Sequence, residues 1–211
     1  MDYSQFRVLE LRRKFFKMFG PEISITDPAT NTLVGYIKMK AWKLRGDIRV
    51  FTDQTMQREI VRIGGRQVFG LNRAYDLFDS FTGNPLVVLR FRGLRTYFVR
   101  GHVDILDPQG NPYGYVQETS SELAIIRRWI GVVPLIGPLI ELILAFIPQT
   151  FDIMYTPMGG MPQLAGKIVH RKNPVIVKML LDTTQAQVLL DPRITIGVGT
   201  LLSILDANKN S

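Results

Sequence analysis

The 211-residue chain contains no cysteine, which excludes disulfide staples and thiolate metal ligands. Its two histidines, His102 and His170, lie far apart in sequence with no acidic cluster beside either, so neither a metal site nor a cofactor is expected. The sequence has no nucleophile elbow, no Walker loop and no paired-carboxylate or His-Cys constellation, and Gly64-Gly65 and Gly159-Gly160 read as turns. A non-enzymatic role follows as the expectation. The opening MDYSQFRVLELRRKFFKMFG is broken by charge every few residues and has no signal-peptide core, so a cytoplasmic setting is expected. Residues Phe6 to Phe19 gather no apolar face at helical spacing, and read as a basic solvated arm, with a strand at Arg7–Leu11 as the alternative.

Long apolar runs are also scarce, with one exception. Trp129 to Ile147, WIGVVPLIGPLIELILAFI, carries a single charge, Glu141, and follows Arg127 and Arg128. As a helix it would measure ~28 Å, near the thickness of a bilayer's hydrocarbon core. Its Ile, Leu, Val and Phe residues contribute ~4–7 kcal/mol towards insertion, against ~3 kcal/mol for an ionised Glu141. Pro134 and Pro138 break a straight helix, so a helical hairpin fits better: Glu122–Val133, a turn over Pro134–Pro138, then Leu139–Ile147. Such an arm either dips into one leaflet or packs on protein.

The surroundings of that run repeat a simple grammar. ISITDPATNTLVGYIKMK, YDLFDSFTGNPLVVLRFR and VDILDPQGNPYGYVQE each alternate apolar and polar residues, turn at Asp with Pro, Gly or Asn, and alternate again. Asp accepts hydrogen bonds from the amides that follow it, and Gly or Asn tolerates positive φ, so each unit reads as a β-hairpin. DIRVFTDQTMQREIVRIGGR, turning near Asp53, and RTYFVRGH, feeding the third unit, are looser copies. After the apolar run the grammar resumes in FDIMYTPMGGMPQLAGKIVH, turning at Pro157–Pro162, and PVIVKMLLDTTQAQVLL, turning at Asp182–Gln185. About six hairpins predict an all-β sandwich or barrel. The hairpins also bear on the apolar run, because one membrane crossing would separate strands that must pair in one sheet.

The last segment, DPRITIGVGTLLSILDANKNS, departs from the grammar. Asp191 fits an N-cap and Pro192 the first helical position. Ile194 to Leu205 is apolar almost all round, and a helix of that kind requires burial on all sides. Threading through a β-barrel would supply it, with Gly197 and Gly199 allowing close approach of strands.

Hairpins of this form before a closing apolar helix resemble the tubby C-terminal-like superfamily, in particular its phospholipid scramblase and LURP-one-related branches. The resemblance is carried by ISITDPATNTLVGYI, YDLFDSFTGNPLVVL, VDILDPQGNPYGYV, FDIMYTPMGGMPQLAGKI and DPRITIGVGTLLSILDA, and runs from about Arg7 to Ala207. It implies a closed barrel enclosing the final helix, and lipid or phosphoinositide binding at membranes. The chain departs from the family pattern in having no acidic calcium loop before the final helix and no cysteine to palmitoylate. The apolar insertion is likewise outside that pattern.

Together these readings give a mainly β fold: a closed barrel of about twelve antiparallel strands around a central helix at 192–205, with an apolar helical hairpin inserted at 122–148, all in one domain spanning 1–211. The net charge of +8 favours anionic partners. Lys38 with Lys40, and Arg90 with Arg92, are spaced to share a strand face, and with Arg127 and Arg128 are the expected lipid-headgroup contacts. Arg58, Arg62, Arg66 and Arg73 are further cations with no assigned role, and His102 and His170 are taken as structural or surface residues. Trp129, Ile130, Leu135 and Ile136, followed by Leu139, Leu142, Ile143 and Phe146, are the expected membrane-inserting side chains. The functional expectation is a membrane-associated, scramblase-like barrel that binds anionic phospholipid or phosphoinositide, peripheral or monotopic on the cytoplasmic side, with lipid translocation an extension of that role. The alternative is a soluble interaction module that uses the apolar hairpin as a dimer or partner interface. Nucleic acid ranks last, since no aromatic-plus-basic platform is present.

Overall fold

The computed structural model describes residues 2–16, 20–38, 47–66, 73–91, 102–119, 148–171 and 177–207. Twelve strands are present: β1 Val8–Phe16, β2 Gly20–Thr26, β3 Leu33–Lys38, β4 Ile48–Phe51, β5 Glu59–Arg66, β6 Arg73–Asp79, β7 Pro85–Phe91, β8 His102–Leu106, β9 Pro112–Glu118, β10 Gln149–Tyr155, β11 Gln163–Arg171 and β12 Val177–Asp182. Each pairs antiparallel with its neighbours in sequence, and β1 pairs with β12 to close the barrel. Among the described residues one α-helix, α1 (Pro192–Ala207), follows, two residues longer than expected, and a short 3-10 turn at Tyr3–Gln5 precedes β1.

The period of two sets the barrel's polarity. Ile23 and Ile25, Val61 and Ile63, Val87 and Leu89, and Ile168 all point inward and are almost fully buried. Charged residues such as Arg12, Arg49, Arg62 and Lys167 fall on the other face. This is the reverse of a membrane-spanning barrel, whose wall is apolar and whose lumen is polar. The interior is filled by α1, in which every residue from Ile194 to Ile204 is buried. Asp191 caps the helix, accepting from the Arg193 N–H at 2.9 Å through its carboxylate and from the Ile194 N–H at 2.9 Å through its carbonyl.

All five hairpins share one device. In β2–β3 the pairing runs Ile25↔Gly35 then Thr26↔Leu33, which leaves Val34 as an extra residue. The same slip leaves Ile60, Leu86, Tyr113 and Ala165 extra in β5, β7, β9 and β11. These bulge residues are apolar and pack into or against the core. A bulge bends and twists its strand, and here the bent residue helps plug the end of the barrel at which the hairpin turns lie. The turns repeat as well: Asp27 and Asp79 each accept from the N–H two residues on, at 3.0 Å, and from a Thr hydroxyl three residues on, at 2.7 Å.

Three expectations need amending. The N-terminal segment is not the solvated arm but the strand given as its alternative, and β1 runs on to Phe16, with Leu9 and Leu11 in the core. Arg13 is also turned inward, where its guanidinium donates to the Ser203 carbonyl of α1 at 2.8 Å. Gly64-Gly65 is not a turn but part of β5, paired with Asp76 and Tyr75 of β6, whose aromatic neighbours lie over the bare Cα atoms. The run after Asp182, in contrast, does not form a second strand. Gln187 and Val188 donate their N–H groups to the Leu164 carbonyl, and the chain then leads Leu190 into the core on its way to α1. The count of strands is met because β1 takes the place of that missing strand. The expected hairpin at 122–148 lies, up to residue 147, outside the described residues, among which α1 is the one α-helix. No helix among the described residues is long and apolar enough to cross a membrane.

The fit of α1 in the barrel is tested by its two glycines. A Cβ on Gly197 would lie 2.3 Å from Leu77 Cδ2, whereas one on Gly199 would meet nothing closer than 3.4 Å, at Leu11. Gly197→Ala is therefore expected to destabilise by about 1–3 kcal/mol through overpacking. Gly199→Ala is expected to be neutral or to stabilise by up to ~1 kcal/mol, through helix propensity. Urea denaturation of the two variants measures the contrast.

Candidate functional site

Of the expected headgroup cations, the structure describes Lys38 and Arg90. Both point outward, but they stand on β3 and β7 with three strands between them. Each already has a carboxylate: Lys38 Nζ lies 3.7 Å from Glu22, and Arg90 Nε donates to Asp104 at 3.1 Å. They do not form one shared grip. Lys40, Arg92, Arg127 and Arg128 lie outside the described residues, as do Trp129, Ile130, Leu135, Ile136, Leu139, Leu142, Ile143 and Phe146. Arg62 and Arg66 are also paired, with Asp47 and Asp76, each at 2.6 Å. Pairs this exposed contribute little to stability but do reduce the free positive charge of the wall.

Strand order divides the chain's chemistry between the two ends of the barrel. The five hairpin turns and the start of α1 gather at one end. The six connections 17–19, 39–46, 67–72, 92–101, 120–147 and 172–176 begin and finish at strand ends on the other. In particular β9 and β10 are adjacent, with Glu118 opposite Phe151, so the apolar run leaves the barrel and returns to it at the same end. Those six connections contain ten Lys or Arg residues and two acids, Glu122 and Glu141. The hairpin end has the opposite balance. Its segments 2–7, 27–32, 52–58, 79–84, 107–111, 156–162 and 182–193 hold seven Asp residues and three Arg.

That acidity arises from turn chemistry. Side-chain hydrogen bonds from Thr30 to Asp27, from Thr55 to Asp53, and from Asn111 to Asp107 are the leading reason that each carboxyl titrates below the ordinary range. Asp79 is also lowered, first by the Thr82 hydroxyl and then by the Phe81 N–H and the Arg193 guanidinium, which outweigh partial desolvation. Arg193 joins two parts of the chain. It makes a bidentate pair with Asp191 at its own helix start, Nη2 to Oδ2 being 2.6 Å, and its Nη1 reaches Asp79 on the β6–β7 turn at 2.9 Å. Its charge is held chiefly by Asp191 and then by Asp79.

Beside this latch is a cleft of about 670 Å3. The N-terminal turn (Asp2, Tyr3, Ser4), the β4–β5 turn (Thr52, Gln57, Arg58), the β6–β7 turn and the start of α1 form its walls. Nothing in the spacing of the sequence links position 3 or 79 to position 193, so this assembly was not predictable from motifs. His102, expected as structural or surface, is half-exposed on the wall, 3.2 Å from Asp104 and stacked on Tyr115. His170 is buried inside the barrel on β11.

No family model, curated protein or solved structure matches this chain. Its function has to follow from the fold and from the chemistry of its two ends.

The latch yields a pH prediction. Asp79 titrates below the ordinary value of 3.8, so its contribution is fully present above that pH and is lost as pH falls below it. Arg193→Met, which leaves a nearly buried carboxylate without its cation, is expected to cost about 2 kcal/mol at pH 7. The difference from the parent protein should shrink at pH 3. Denaturant midpoints at the two pH values check both statements.

Proposed function

We propose that this protein is a peripheral membrane protein that binds anionic phospholipid headgroups, with the end of the barrel opposite the five hairpin turns facing the bilayer. The observation that carries the reading is the shared location of the six connections. Ten cations and the 19-residue apolar run belong to segments that start and finish at one end of the barrel, while the opposite end is acidic. An anionic surface attracts the first end and repels the second, which orients the molecule before any specific contact forms.

In this reading 122–148 is an apolar helical hairpin that enters one leaflet, with Arg127 and Arg128 at headgroup level. Both ends of the segment return to adjacent strands, so an odd number of membrane crossings is incompatible with the β9–β10 pairing. The resemblance to the scramblase and LURP-one-related branches supports lipid as the ligand class, and lipid movement would be an extension of the same binding. The headgroup contacts are sought among Lys40, Arg92, Arg127 and Arg128, with Lys38 and Arg90 less favoured because Glu22 and Asp104 already pair with them.

Flotation with vesicles of phosphatidylcholine, with and without phosphatidylserine, tests the reading. The protein should float with the anionic vesicles, and a high-salt wash should leave a fraction that detergent alone releases. The double substitution Arg127→Gln, Arg128→Gln should weaken partition by about 30-fold, at roughly 1 kcal/mol per cation near the surface. Failure to float, together with no effect of deleting 123–147, would sink the proposal. A detergent-independent oligomer that dissociates on Leu142→Glu would point to the interaction module instead.

A further inference from the structure

The hairpin end of the barrel has no part in lipid binding as proposed above, although its surface is unusual. Every exposed large hydrophobic side chain among the described residues lies there: Met56, Phe81, Met158, Met161 and Leu189. Phe81 is 87% exposed at the tip of the β6–β7 turn, and Met158 is fully exposed on the β10–β11 turn. Turn residues of a barrel have no packing reason to be Phe or Met, and Ser, Asn or Gly would serve the turn as well. Phe81 stands at the edge of the 670 Å3 cleft, whose other apolar walls include Tyr3 and Ile60.

The cleft's charge indicates what would fill it. Four carboxylates line it, Asp2, Glu59, Asp79 and Asp191, against two guanidiniums, Arg58 and Arg193. Arg193 is shared between Asp79 and Asp191, and Arg49 lies 3.5 Å from Glu59. Arg193 therefore offers little to an incoming anion, and the acidic excess of the cleft rests on Asp2 and on two carboxylates sharing one guanidinium. The surrounding end of the barrel has the same sign, with its seven Asp and three Arg residues. Hydrogen bonds lower the Asp2, Asp27, Asp53 and Asp107 carboxyls below their ordinary value, which favours the charged form at this end of the barrel. An anionic lipid surface or nucleic acid would be repelled. A segment with cationic and apolar side chains would find both complements, with Tyr3 and Phe81 receiving apolar stems or the face of a guanidinium.

We propose that the cleft between the N-terminal turn and Phe81 is a docking site for a basic, apolar-containing polypeptide segment of a partner protein. The pairing of sign and surface matches the way interfaces combine an aromatic anchor with complementary charge. The site is independent of the lipid reading and faces away from the end proposed to meet the membrane.

The test uses the full-length protein and a fluorescein-labelled, amidated octapeptide of alternating lysine and leucine. Saturable binding is expected in fluorescence polarisation, weakening as salt rises, with no binding of the matching glutamate–leucine peptide. Phe81→Ser and Asp2→Lys, both exposed turn changes, should each weaken binding by about tenfold, as loss of an anchor would. Flotation with phosphatidylserine vesicles should be unchanged by Phe81→Ser. The proposal is overturned if the lysine–leucine peptide shows no saturable binding, if neither substitution alters it, or if spermine competes as well as unlabelled peptide, since charge alone would then be read. Loss of flotation in Phe81→Ser would equally overturn it, by assigning this end to the membrane.

Discussion

The need to bury α1 on every side governs this structure. An eleven-residue stretch with no solvated face, Ile194 to Ile204, cannot lie on a sheet or at a surface without exposing apolar area. A closed ring of strands can surround it. Closure in turn requires the first strand to meet the last, and the register of β1 on both β2 and β12 achieves this. The Arg193 pairs tie the start of the helix to the β6–β7 turn. Near the other end of the helix, Arg13 ties β1 to the Ser203 carbonyl. The one buried hydroxyl in the helix without a hydrogen-bond partner among the described residues is that of Thr200, surrounded by core.

Much of this fold can be read from local chemistry, because five of the six predicted hairpins depend on contacts within a short stretch of chain. An Asp that accepts from the amide two positions on, followed by Thr, Gly or Asn, specifies a turn wherever it occurs. The apolar alternation on each side then sets which face is inward. The helix was legible for a similar reason: its cap is adjacent to it, and its uniform apolarity leaves one solution.

What could not be read depends on distant partners. A strand at Arg7–Leu11 is one of two readings of the sequence, but the extension of β1 to Phe16 and its choice over a solvated arm follow from pairing with β12, Val8 lying opposite Asp182 at the far end of the chain. Its outward cations and the inward Arg13 also merge into a run, RRK, that hides the alternation. The segment after Asp182 misleads in the opposite direction, because Val188 and Leu190 alternate like a strand but serve as a bridge from β12 into the core. The bulges were hidden too, since one extra residue per hairpin changes register without changing composition. Nor could the cleft be anticipated, being built from four separate parts of the chain.

Net charge is the quantity most altered by knowing the topology. As a property of the sequence, +8 describes a moderately basic protein with a general bias towards anions. Four of the five hairpin turns use an Asp for their hydrogen bonds, however, so that end of the barrel gains negative charge as a consequence of folding rather than of any partner. With seven acids and three cations gathered there, a surplus of twelve positive charges is left for the wall and the opposite end. On the wall the described cations have acidic neighbours, as Lys38, Arg49, Arg62, Arg66 and Arg90 illustrate. Eight of those twelve charges, ten cations less two acids, belong to the segments that join strands opposite the hairpins, and the apolar run belongs to one of them. Strand order thus divides a charge that composition reports as one number between segments that join the strands at opposite ends of the barrel.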